Sequence, residues 1–306
     1  MTPRVVGIFG PTASGKTDVA EAVADRLPGE LVSADAMQAY RGLPTLTNQS
    51  ERPTRLLGIW ELTHEASVAE YQERAHAAID ELLARGTTPV VVGGTGLYLR
   101  AALAGLELPP PPAPGTRERL DSLYEEVGPE AAHAELAARD AAAAARVHPN
   151  DRRRVVRALE LAESGESLAP ATDTLWGDGY RHPTLVVALD VPRDVLAERI
   201  ETRTRSMVER GVAEEARAAL SVPISRTAST IHGLHDFAEL PLEEAVETYN
   251  RRVRRYAAYQ RKWMRRVPGV VIIDANRPAT EVADEIVELA RARERLPGDG
   301  AVRADA

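Results

Sequence analysis

The sequence predicts an α/β fold, a parallel sheet covered by helices on both faces and interrupted by an inserted α-helical domain. Three observations predict it. Short apolar runs alternate with helical periodicity over the first hundred residues. Four consecutive prolines, Pro109–Pro112, then break the pattern. Strand character returns at Leu185–Val191, after a stretch rich in alanine and glutamate.

Val5–Phe9 reads as a buried strand. After Lys16, Val19, Val23 and Leu27 stand at i, i+4 and i+8, one face of a helix. Leu31–Val32 begins a second strand. Ser67–Arg85 is helical, with Ser67 suited to the N-cap and Gly86 to the stop. Pro89–Val92 is a third strand, and Leu97–Leu103 lies on another helix. Strands joined by helices imply a parallel sheet buried on both sides. No helix or central strand survives four prolines, so a boundary falls there. Thr116–Arg146 reads as helical throughout, and Asp151–Glu163 as a further helix ended by Gly165. The expected division is therefore a discontinuous core, 1–112 and 184–296, with a helical insertion at 113–183. Beyond Pro192 come helices, a loop around Ser221–Arg226, and a long helix over Leu242–Arg266. Val270–Ile273 is one more strand and Glu281–Arg295 the closing helix. The small, polar residues 297–306 are expected to be disordered.

A chain of 306 residues, 44% hydrophobic and 27% charged, is ordinary for a globular protein with room for about two domains. It has no cysteine, which excludes disulfides, thiolate catalysis and cysteine-ligated zinc or iron–sulfur centres. The first apolar run is too short for a signal peptide, and no stretch could span a bilayer. A cytoplasmic protein is expected. The net charge of −8 argues against indiscriminate coating of nucleic acid. Two basic clusters stand out against it: Arg152, Arg153, Arg154 and Arg157, and a second from Arg251 to Arg266. Such runs are most often solvated helix faces.

The strongest chemical signal is GPTASGKT at 10–17, a full match to G-x-x-x-x-G-K-[ST]. By composition it arises in a chain this long on the order of 1% of the time, and here a strand enters it and a helix leaves it. The fold is thus expected to be P-loop NTPase-like. Backbone N–H groups from Gly10 through Thr12, Ala13, Ser14 and Gly15 wrap phosphate oxygens at a helix N-terminus. Lys16 neutralises the distal charge, and the Thr17 hydroxyl is the expected ligand of Mg²⁺. The loop specifies a polyphosphate, not a particular one. What reacts depends on loops at the same sheet edge, SADAMQAY at 33–40 and GGTGLY at 93–98. Asp35 could accept a proton from a nucleophile, or serve as a helix N-cap or an outer ligand of Mg²⁺. Gly93 and Gly94 would let backbone approach a ligand closely. Thr95 could donate to a substrate, though by residue type it reads first as a cap. The third strand ends in glycine without the Walker-B acid of an ATPase, while Asp190 ends a strand far along the chain. His232 and His235 stand at i, i+3 without a third metal ligand nearby.

Taken together these segments resemble the tRNA dimethylallyltransferase family, from about Arg4 to Asp274. GPTASGKT at 10–17, ADAMQAYRG at 34–42, VVGGTGLYLRAAL at 91–103 and HPNDRRRVVRALE at 148–160 carry the resemblance. RIETRTRSMVERG at 199–211 and, more loosely, RRYAAYQRKWMRR at 254–266 match later motifs. The resemblance implies that the loop holds dimethylallyl diphosphate with Mg²⁺, and that N6 of an adenosine beside the anticodon attacks the allylic carbon. It implies Asp35 as general base, Thr95 as a residue holding the reacting groups, and Arg203 at the diphosphate. It also implies tRNA contacts from Asp35, Ala36, Met37 and Gln38 and from Arg153, Arg154 and Arg157. The inserted domain and the core would clasp the anticodon stem-loop of a tRNA whose target base is flipped out. A monomer that does not associate with membrane is expected.

The sequence also departs from the family's pattern. Ala36 stands where serine is usual, GMDIGTAKP becomes GLPTLTNQS at 42–50, and PHHLID becomes PTRLLG at 53–58. An IGYR-like element reads IHGLH at 231–235, and KRQ-x-T-W reads AYQRKW at 258–263. These changes fall where RNA is expected, so the donor side is the more firmly specified. Other readings are a prenyltransferase of free adenine nucleotides, a small-molecule P-loop kinase using Asp35 to activate a hydroxyl, and a non-catalytic RNA-binding protein. The basic clusters favour an RNA acceptor.

Overall fold

The computed structural model describes residues 4–109, 111–169, 175, 177 and 179–295; the tail expected to be disordered lies outside them. The chain divides into two compact units, Met1–Gly105 with Asp178–Ala306, and Leu106–Gly177. The sequence reading set the insertion at 113–183, several residues later at each end.

In the larger unit β1 (Val5–Phe9) passes through the glycine loop into α1 (Lys16–Arg26). There follow β2 (Gly29–Ser33), β3 (Thr54–Arg55), α2 (Val68–Ala84), β4 (Thr88–Gly93) and α3 (Gly96–Leu103). The smaller unit holds α4 (Thr116–Arg139), α5 (Ala141–Ala144) and α6 (Arg152–Glu163). The chain returns through β5 (Thr184–Asp190), α7 (Arg193–Glu209), α8 (Val212–Leu220), α9 (Arg226–Ser229) and α10 (Leu234–Glu239). It closes with α11 (Leu242–Met264), β6 (Val271–Asp274) and α12 (Ala279–Arg295).

The six strands, ordered β3-β2-β4-β1-β5-β6, are all parallel. Alternation along β1 sends Val6 and Ile8 to one face, where they join Val19 and Val23 of α1 and Val282 and Ile286 of α12 in a single buried cluster. Gly7 points to the other face, against Leu103 of α3. Each fully buried aliphatic side chain contributes roughly 1.5–3 kcal/mol. The register brings Phe9 and Gly93, the last residues of β1 and β4, level with Ala188, two residues before the end of β5, so the loops that leave these strands open on one edge.

Two expectations are corrected. The two-residue edge strand β3 lies inside the segment PTRLLG, read only for its departures. The helix expected throughout 116–146 is broken: Gly128 has φ 81° and is followed by Pro129, which has no N–H to donate. It breaks again at Asp140, whose carboxylate accepts from Ala143 N at 2.9 Å to cap α5. The composition is alike on both sides of each break, so periodicity alone runs through them. This unit packs around Leu120, Leu136, Val155 and Leu159. Buried beside them is the Glu160 carboxylate, bonded by Arg117 at 2.5 Å and Arg157 at 3.0 Å. Burial would raise its pKa, but the two arginines hold it below the usual carboxylate range. Among the described residues no helix is long and apolar enough to cross a membrane.

Candidate active site

The glycine loop needs two left-handed residues to turn its amides inward. Gly15 takes one at φ 82° without strain, while Ala13 takes the other at φ 63°, at a cost of about 1–2 kcal/mol. A residue held so is over-determined by its surroundings. Here the second anchor is Gln260 of α11, whose Oε1 accepts from Thr12 N at 2.8 Å. The same side chain donates through Nε2 to Gly94 O at 2.7 Å. One buried glutamine therefore ties the phosphate loop to the loop after β4. Arg203 of α7 donates to Thr12 Oγ1 at 2.8 Å, and its Nε is buried without a hydrogen-bond partner in the protein, as is Ser14 Oγ. Such orphaned polar atoms mark a place where a ligand completes the bonding.

Ser14 and Arg203 line a cleft of about 370 Å³, with Lys16, Thr17 and Arg199 among its other walls. Lys16 and Thr17 also line a narrow cavity of about 20 Å³ with Ser33, Asp35, Gln38 and Gly93. Thr17 and Lys16 thus stand between a basic cleft and the carboxylate of Asp35. Lys16 is half-buried, and desolvation brings its pKa down to about 8, Asp35 opposing and Arg203 adding to the fall. Among the described residues no group of three acidic or histidine side chains could hold a metal. A single hydroxyl beside a phosphate cradle suits Mg²⁺, which takes few protein ligands and completes its shell with phosphate oxygens and water.

Asp35 caps no helix. Its Oδ1 accepts from Met37 N at 3.0 Å in a local turn, leaving the carboxylate half-buried at the cavity. Thr95 occupies the N-cap position of α3, yet its side chain makes no capping bond. Its hydroxyl meets Tyr256 Oη at 3.2 Å instead, against the expectation that capping explains it. Tyr256 is pushed up to about 12 by burial first and Asp35 second, so it stays protonated. The His232 ring stands edge-on to it at 4.7 Å; burial and Arg252 lower that imidazole's pKa. Gly93 and Gly94 do admit close approach, but of protein. A Cβ at Gly93 would lie 2.1 Å from Ala34 O, and at Gly94 2.4 Å from Gln260 Nε2.

The loop 42–50, where the sequence departs from the family's pattern, is built by the chain's own polar groups. Gln38 donates to Thr47 O and Asn48 O at 3.2 and 3.1 Å, and Glu215 accepts from Thr45 N and Leu46 N. The Gln38 amide expected at the tRNA is therefore committed to this loop, while Ala36 and Met37 stay half-buried. On α6, Arg153 and Arg154 are exposed and have no ion-pair partner among the described residues, whereas Arg157 is engaged by Glu160. Arg157 is thus not a freely displayed cation. Asp190 is bonded by Arg261 at 2.7 Å, and His235 by Glu239 at 2.8 Å. Sequence reasoning missed Gln260 and Tyr256. The available signal was that AYQRKW keeps the glutamine and tryptophan of KRQ-x-T-W while changing its other defined positions.

A parallel sheet with this loop, and with an acid and a threonine on the two neighbouring strand ends, is the architecture of a P-loop protein. Its residues 38–267 match a family model described as IPP transferase. The chain belongs to the IPP transferase family. The tRNA dimethylallyltransferase of Streptomyces coelicolor is 43% identical over 282 residues, 88% of this chain and 89% of that protein. That of Anaeromyxobacter dehalogenans is 41% identical over 287 residues, 88% of this chain and 94% of that protein. The crystal structure of a full-length tRNA isopentenylpyrophosphate transferase from Bacillus halodurans superposes with a TM-score of 0.67, at 32% identity, covering 95% of this chain and 98% of that one. A eukaryotic dimethylallyltransferase acting on tRNA, 22% identical with a TM-score of 0.71, shares the fold over 94% of this chain and 77% of that one.

Proposed function

We propose that the protein is a tRNA dimethylallyltransferase, moving the dimethylallyl group of dimethylallyl diphosphate to N6 of the adenosine next to the anticodon (position 37) and releasing diphosphate. The observation that carries this is the shared wall: Lys16 and Thr17 line both the basic cleft and the Asp35 cavity. A diphosphate in the first would then adjoin a base in the second. The curated relatives, about 40% identical over nearly nine-tenths of the chain, support the same chemistry.

In this reading the loop amides, Lys16 and Arg203 hold the diphosphate. As the allylic C–O bond breaks, the leaving oxygen's charge is met by cations already in position. The N6 lone pair forms the new C–N bond, and its proton passes to the Asp35 carboxylate. An aromatic amine is a weak nucleophile, so a positioned base is worth about 10²–10⁴-fold. Thr95, held by Tyr256, steadies the amine. Mg²⁺, on the Thr17 hydroxyl, would supply further charge neutralisation of the diphosphate. The protein works as a monomer in the cytoplasm, with the helical unit, through Arg153 and Arg154, gripping the anticodon stem-loop. The test is purified protein with dimethylallyl diphosphate, Mg²⁺ and bulk tRNA, followed by mass spectrometry of the nucleosides. One adenosine should gain a dimethylallyl increment; ATP consumption without that increment would replace this reading with a kinase.

A further inference from the structure

The family's pattern GMDIGTAKP puts alanine and lysine where this chain has Asn48 and Gln49. Gln49 turns its amide into its own loop, donating to Tyr40 O and Thr47 Oγ1 at 3.1 Å and to Gln38 O at 3.3 Å. That position therefore supplies no cation to the cleft. Asn48 is arranged the other way round. Its backbone is spent, with N donating to Thr45 O at 3.2 Å and O accepting from Gln38 Nε2 at 3.1 Å. Its side-chain amide has no hydrogen-bond partner among the described residues. The residue is half-buried and lines the basic cleft with Lys16, Thr17, Arg199 and Arg203.

Asn48 also stands at φ 50°, whereas most residues of positive φ in this chain are glycines, which take it without strain. Asparagine tolerates the left-handed region better than most side chains do, yet not for nothing. Strain of this kind persists where the surroundings fix it, ligand clamps among such places. Here Gln38 and Gln49 hold the loop from within, and Ser50 ties it to α1 by donating to Glu21. The loop is thus pinned to the helix that begins with Lys16 and Thr17.

We propose that Asn48 is a further donor-binding residue, its Nδ2 amide donating to a phosphate oxygen of dimethylallyl diphosphate in the cleft that Lys16 and Arg203 line. The proposal rests on the reading of that cleft as the donor's diphosphate site. An anion in it turns the amide N–H toward itself, since the carbonyl oxygen offers only an acceptor. A hydrogen bond to a charged oxygen is among the strong ones, and this donor, unlike Lys16, does not titrate.

The test is calorimetry of inorganic diphosphate at saturating Mg²⁺, with the KM for dimethylallyl diphosphate, the KM for tRNA and the melting temperature measured beside it. Asn48→Gly removes the amide and relaxes the positive φ, so a lost affinity cannot come from a newly strained backbone. It should weaken diphosphate binding about 10- to 100-fold, the usual worth of a hydrogen bond to a charged group. The donor KM should rise by a like factor at every pH, leaving the pH dependence that Lys16 gives it unchanged. Asn48→Asp, of the same shape without the N–H, should lose at least as much. The KM for tRNA should hold in both. Asn48→Gly binding diphosphate like wild type overturns the proposal, as does Asn48→Asp keeping full affinity, which would mark a residue turned to the metal. If wild type binds diphosphate and Asn48→Gly binds it equally, this inference alone falls; if wild type binds neither inorganic diphosphate nor dimethylallyl diphosphate, the functional reading falls with it.

Discussion

Lys16 carries a charge that its surroundings resist. Half-buried and with a pKa lowered to about 8, it is half protonated at that pH and fully so only well below it. A donor diphosphate needs the cation, so affinity should be highest below pH 8 and fall as pH rises through it; the KM for dimethylallyl diphosphate measured from pH 6.5 to 9.5 checks this. Lys16→Ala should raise that KM by at least roughly tenfold at every pH and remove the pH dependence above 8. At Asp35 the expected loss is in turnover. Asp35→Asn keeps shape and one acceptor oxygen, so single-turnover rates should drop by about 10²–10⁴-fold while donor binding, followed by calorimetry, is retained. An unchanged rate would reduce Asp35 to the local turn it makes with Met37.

Between residues and fold stands α11, which carries the link from the phosphate loop to the loop of Thr95. Gln260→Leu fills the same space but leaves Thr12 N and Gly94 O unpaired, each costing about 1–3 kcal/mol. We expect a lower melting temperature and a loss in both kcat and the donor KM, whereas a substitution at a surface position of the helix changes neither. This link could not be read from the sequence, because its partners lie 248 and 166 residues away. The strands β1, β4 and β5 were legible because each is an apolar run long enough to show itself. Strand β3 was not, since two residues carry no period. The phosphate loop was legible because its chemistry is local. Thr95 was misjudged because its cap position is local and its tyrosine partner is not.

For the whole molecule, the predicted layers and the insertion describe an acidic chain that displays its cations in two places. If the helical unit grips RNA phosphates, Arg153→Ala with Arg154→Ala should raise the KM for tRNA and lower its salt slope by about 1.4–1.8, leaving the donor KM unchanged. The pair differs from the one sequence spacing would choose, because Arg157 is spoken for by Glu160. The two ends of the helical unit's connection to the sheet also meet: Arg181 N donates to Leu103 O at 2.9 Å. To the sheet, everything between those residues is one loop closed at its neck. Closure entropy grows only with the logarithm of length, so the whole of 106–177 costs the sheet about 2 kcal/mol more than a linker of a few residues. Replacing it with a short glycine–serine linker should therefore yield a folded sheet that melts somewhat higher and still binds dimethylallyl diphosphate, which differential scanning calorimetry with and without the donor would register.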